Sequence, residues 1–94
     1  MIYRYKLNLT SITTLTLPKG YKILTVKRKL NTPFRKSIAS LWALIDPNEE
    51  ETVEVNIHLI ETGKKFNSTN LQYISTIEYP KINYIAHFFE EIPS

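Results

Sequence analysis

The sequence predicts an all-β protein: a compact antiparallel sandwich or partly open barrel of about six to seven short strands, with little helix. Three observations predict it. Apolar and polar residues alternate along most of the 94-residue chain, which is the strand period. Clusters of Pro, Gly, Asn and Asp punctuate that alternation at short intervals, as turns do. An apolar fraction of 43%, with six Tyr, four Phe and one Trp, supplies enough core for one modest domain spanning residues 1–94.

The strands follow in order. From Ile2 to Leu9, Tyr3, Tyr5, Leu7 and Leu9 share one face, and Arg4, Lys6 and Asn8 the other. Thr13 to Leu17 repeats the pattern, with Leu15 and Leu17 opposite Thr14 and Thr16. Pro18-Lys19-Gly20 is a turn, because Pro fixes φ and Gly tolerates φ > 0. Tyr21 to Lys29 is a third strand running into a basic hairpin tip, and Asn31-Thr32-Pro33 breaks it. Ile38 to Ile45 fits either a helical face of Ile38, Leu41, Trp42 and Ile45 or a buried strand ended by Asp46-Pro47. The strand is preferred because its surroundings are strands. Thr52 to Ile60 alternates most cleanly, with Val53, Val55, Ile57 and Leu59 on one side and Glu54, Asn56 and His58 on the other. A loop from Gly63 to Asn70 precedes Leu71 to Tyr79 and Ile82 to Phe89, which Pro80-Lys81 joins as a hairpin.

Composition excludes several function classes. Without cysteine there is no disulfide scaffold, thiol nucleophile, redox switch or cysteine-based zinc site. No signal-peptide pattern and no apolar run approaching the ~20 residues of a bilayer span is present, so a cytoplasmic location and no membrane partner are expected. The two histidines, His58 and His87, and the single aspartate, Asp46, are too few for a metal centre, so no metal and no cofactor is expected. Asp46 before Pro47 suits a turn. No Gly-x-Ser-x-Gly context or other activated nucleophile accompanies the histidines, so neither an enzyme nor a small-molecule substrate is expected.

Several fragments, taken in order, carry a resemblance. They are Ile2-Tyr3-Arg4-Tyr5, Leu17-Pro18-Lys19-Gly20, Ile23-Leu24-Thr25-Val26, Leu41-Trp42-Ala43-Leu44-Ile45-Asp46-Pro47, Thr62-Gly63, Tyr73-Ile74-Ser75-Thr76 and Ala86-His87-Phe88-Phe89-Glu90. Together they resemble a family of small phage and prophage proteins of unknown function with an L-P-x-G turn, an L-W-A-L-V-D-P core and an H-x-F-E ending. The resemblance implies a compact, β-rich, phage-borne protein and brings no catalytic residues with it. Between Val26 and Leu41 this chain departs from the pattern with a longer, more basic segment.

Charge order is the strongest local signal. The first 45 residues hold nine Lys and Arg and no acidic residue; the remaining 49 hold three Lys and all nine acidic residues, so the halves are +9 and −6 and sum to +3. Lys27, Arg28, Lys29, Arg35 and Lys36 are expected to gather at the hairpin tip with Phe34 among them, a combination of cations and an aromatic that suits an RNA, DNA or acidic-protein surface. The competing explanations are that strands of the two halves pair and set opposite charges against each other, or that the tip is a solvated loop. Glu49-Glu50-Glu51 is either another solvated loop or a phosphate mimic that docks on a basic groove, a surface that Glu90 and Glu91 would extend. Trp42 is expected in the core; exposed, it would mark an interface hot spot.

The expected function is therefore binding. The leading expectation is a phage-encoded inhibitor of a host defence system, of the anti-CRISPR kind, acting on an RNA-guided nuclease or its guide RNA. The alternatives are a general nucleic-acid-binding accessory protein and a virion assembly protein that pairs through strand edges.

Overall fold

In a computed structural model, residues 1–8, 10–28, 37–65 and 70–92 are described. They form seven strands and a single turn of 3₁₀ helix. The strands are β1 (Ile2–Asn8), β2 (Ile12–Pro18), β3 (Lys22–Arg28), β4 (Ser37–Leu44), β5 (Thr52–Glu61), β6 (Leu71–Tyr79) and β7 (Tyr84–Glu91). They build two antiparallel sheets, a three-stranded one ordered β1-β4-β3 and a four-stranded one ordered β2-β5-β7-β6. The all-β reading is correct, and the ambiguous segment is a strand, the centre of the smaller sheet.

The core lies between the sheets. Leu7, Val26, Ala39, Leu41 and Ala43 come from the first, and Leu17, Val55, Ile57, Ile77, Tyr79, Ala86 and Phe88 from the second. Those residues fall on alternate positions because the pleat sends successive side chains to opposite faces. Across the smaller sheet, register aligns Leu7 with Ala39 and Tyr5 with Leu41, and Leu41 in turn with Val26.

One flank of the sandwich is sewn shut. Ser75 lies at an irregularity in β6. Its hydroxyl accepts the Val26 N–H at 3.0 Å and lies 3.1 Å from the Thr25 hydroxyl. The Tyr21 hydroxyl, just before β3, donates to the Glu90 carboxylate on β7, and Arg28 donates from Nη1 to the Glu78 carbonyl at 3.3 Å. Side chains thus replace the ladder that a closed barrel would have between β3 and β6.

Turns match their residues. Gly20 has φ 85°, and the Tyr21 N–H bonds the Pro18 carbonyl at 3.2 Å. That turn crosses from one sheet to the other. Asp46 accepts the Asn48 N–H at 3.0 Å, the Asx geometry expected before Pro47. The connection between β6 and β7 is longer than Pro80-Lys81. A 3₁₀ turn over Pro80–Ile82 ends on Asn83 in the left-handed region, so β7 starts at Tyr84 rather than Ile82. No helix among the described residues is long and apolar enough to cross a membrane.

Candidate nucleic-acid interface

Charge separates by sheet. The strands of the smaller sheet carry Arg4, Lys6, Lys22, Lys27 and Arg28 and no acidic residue. The strands of the larger sheet carry Glu54, Glu61, Glu78, Glu90 and Glu91 and no Lys or Arg. β2, the strand from the basic half that joins the larger sheet, is uncharged. The charged strands of the two halves therefore do not pair with each other; those of the basic half lie in one sheet and those of the acidic half in the other. The ion pair that does cross between the halves, Lys19 with Glu51 at 3.2 Å, joins two exposed turns, where such a pair is worth at most about 1 kcal/mol.

Alternation decides which cations face solvent. Tyr5, Leu7, Leu41, Ala43 and Val26 point inward, so Arg4, Lys6, Trp42, Ser40, Lys22 and Lys27 fall on the outer face of the smaller sheet. Register arranges them in rows across β1, β4 and β3: Ile2-Leu44-Lys22, Arg4-Trp42-Thr25 and Lys6-Ser40-Lys27. Trp42 is thus not a core residue. The inward positions of β4 beside it are the small or slender Ala39, Leu41 and Ala43, and the indole lies half-buried on the outside. The Arg4 guanidinium sits 5.9 Å from its ring centroid, within cation–π range.

Of the expected basic cluster, Lys27 lies on this outer face, whereas Arg28, its neighbour on the strand, turns to the seam and bonds β6. Lys29, Phe34, Arg35 and Lys36 lie outside the described residues. The acidic run is built into the β4–β5 connection. Glu49 accepts the Glu51 N–H at 3.1 Å, Glu51 pairs with Lys19, and Glu50 is exposed. Glu90 and Glu91 belong to β7 and engage different partners, Tyr21 and the pair His58 and Asn56.

Both histidines lie on the outer face of the larger sheet, in polar networks. His58 Nε2 donates to Glu91 at 2.8 Å; Asn56 donates to the same carboxylate at 3.2 Å and accepts from Thr14 at 2.7 Å. These bonds, from His58 first, hold the Glu91 carboxyl below its ordinary value. The two ring nitrogens of His87 lie 2.7 and 2.9 Å from the hydroxyls of Thr62 and Thr76. No group of three or more His, Asp or Glu side chains that could hold a metal ion exists among the described residues.

The sequence reading missed Arg4, Lys6, Lys22 and Trp42. For Arg4 and Lys6 the signal was present, since they alternate with Tyr3, Tyr5 and Leu7. For Trp42 it was weak, because Ser40 is the one polar residue that marks the outer face among the described side chains of β4.

A family model described as a domain of unknown function (DUF7352) matches residues 1–94. The chain belongs to that family. Among curated proteins, it is 29% identical over 66 residues to a protein of Kluyveromyces lactis, "Probable intron-encoded endonuclease aI3". The match covers 70% of this chain and 15% of that protein, so the chain spans a small part of its relative. No solved structure matches the chain.

Proposed function

We propose that this chain is a non-catalytic binding protein that docks nucleic acid on the outer face of its three-stranded sheet. The observation that carries this reading is the segregation of charge: five cations and no carboxylate on the strands of one sheet. A phosphate backbone approaching that face meets attraction unopposed by any carboxylate on the same strands, and releases counterions as it binds. With Arg4, Lys6, Lys22 and Lys27 each meeting a phosphate, the salt slope for a single strand is about −0.7 per contact, or roughly −3 in all. Affinity then falls about 50-fold between roughly 50 and 200 mM salt. Exchanging both Lys6 and Lys27 for Glu, at exposed positions, abolishes binding in a titration at low salt while the fold persists. Undiminished binding by the folded double variant would sink the assignment of the face.

The setting proposed is inhibition of a host defence effector of the RNA-guided nuclease type. The resemblance to small phage and prophage proteins supports it, and so does a face suited to the backbone of a guide strand. Its test is target cleavage by such a nuclease loaded with its guide. Added protein is expected to suppress cleavage, and the Lys6→Glu, Lys27→Glu variant to leave it intact. Cleavage unaffected by the native protein, alongside tight binding to random RNA or DNA, favours a general nucleic-acid-binding accessory instead.

A further inference from the structure

We infer that Trp42 is a stacking platform, and that the outer face of the three-stranded sheet takes unpaired rather than duplex nucleic acid, one base lying against the indole beside Arg4. The inference rests on the nucleic-acid reading above and adds which form of nucleic acid is bound and which residue selects it.

The placement of the indole is the starting point. β4 is the central strand of its sheet, and its inward positions are filled by Ala39, Leu41 and Ala43, while the largest side chain in the chain is turned to the outer face. On the outer face the indole is only partly covered, whereas at an inward position the second sheet would enclose it, so part of its aromatic surface stays open to a ligand. The surroundings of the ring are those of a base-binding surface. Arg4 contributes a planar cation 5.9 Å from the ring centroid, and in the next row, about 7 Å along the strands, Lys6 and Lys27 flank Ser40 on both sides. A nucleotide whose base stacks on Trp42 or on the Arg4–Trp42 pair has its phosphate within reach of those lysines.

Duplex nucleic acid cannot use this arrangement. Its bases are stacked on each other and offer only edges and phosphates, so the cations would be engaged and the indole left idle. An unpaired strand presents π-faces and phosphates together. An acidic protein surface would likewise satisfy Arg4, Lys6 and Lys27 without calling on the ring.

Trp42 is the only tryptophan in the chain, so its emission reports this site alone. The experiment titrates the protein with oligothymidylate or oligouridylate, which do not self-pair, and with a duplex of equal length, at low salt. The single strands are expected to quench Trp42 emission and to bind more tightly than the duplex. Trp42→Ala, its fold checked by circular dichroism, is expected to weaken single-strand binding about five- to 150-fold, the span for one stacked base. Trp42→Phe, which keeps an aromatic face at minimal disturbance to the sheet, is expected to lose less. Equal affinity for duplex and single strand with unchanged emission, or full affinity in Trp42→Ala, overturns the stacking inference and leaves the charge-based reading standing. No binding of either form at low salt, with capture of an acidic protein by the same face, overturns both.

Discussion

Ser75 carries more of the fold than its size suggests. Its hydroxyl supplies the acceptor for the Val26 N–H that a paired strand would supply, and it also contacts Thr25. Ser75→Ala strands a partly buried backbone donor, which costs about 1–3 kcal/mol. Urea unfolding is expected to show that loss as a lower midpoint at unchanged slope. Thr25→Val is expected to cost less, because Ser75 still takes the Val26 N–H. A Ser75→Ala variant as stable as the native protein would mean that water or a rearranged β3 edge satisfies that donor. The same attention to single atoms explains the Glu49-Glu50-Glu51 run. Two of its three members shape the turn that leads into β5, so the run is not a free block of charge.

At the level of elements, the β6–β7 hairpin turns on Asn83, whose φ of 53° and ψ of 51° place a non-glycine residue in the left-handed region. Asn tolerates that region and a β-branched residue does not. Asn83→Val is therefore expected to destabilise the protein by about 1–2 kcal/mol and Asn83→Gly to be nearly neutral, as read by thermal unfolding. How much of the architecture was legible follows from such elements. β1, β2 and β5 were readable because their two faces differ in polarity, so period two is unmistakable: Arg4 and Lys6 oppose Leu7, and Glu54 and His58 oppose Val55 and Ile57. β4 was readable as a strand, but its facing only weakly, since Leu41 and Trp42 are both apolar and little but the register with β1 separates them. Partnership was legible for the two hairpins, β3 with β4 and β6 with β7, and not beyond them. Nothing in Ile12–Pro18 says that it skips both of its sequence neighbours to pair with β5, and it is that pairing which keeps the cationic strands together. The site was half-read for the same reason: the basic character of the first 45 residues was visible, the face that gathers it was not.

For the whole molecule, the two ends of the pH scale act through different groups. The Glu91 carboxyl is held low by His58 and Asn56, so its contribution to stability is present above its unfolded value near 4.5 and is lost as pH falls through its lower folded value. Burial and then the Glu61 carboxylate push the Tyr84 hydroxyl up to about 12, and burial with the bond to Glu90 pushes Tyr21 in the same direction. These raised groups stabilise the protein fully below their unfolded value of 10.0 and cease to do so as pH climbs through their folded values. Unfolding scans are expected to show an alkaline limb beginning near that value, which Tyr84→Phe and Tyr21→Phe reduce, and an acid limb that Glu91→Gln reduces. Alkaline limbs unchanged in both Phe variants would remove the tyrosines as its cause. The split of the chain between sheets also has a temporal side. When Leu44 has left the ribosome, every strand of the cationic sheet has been made, yet the layer that must cover its inner face exists only as β2, whose partner β5 is still to come. At that point the emerged chain holds nine Lys and Arg and no Asp or Glu, and lacks most of the layer that Leu7 and Leu41 pack against in the finished fold. Completing the acidic layer is therefore the event that both closes the interior and gives the newborn protein its second electrical pole.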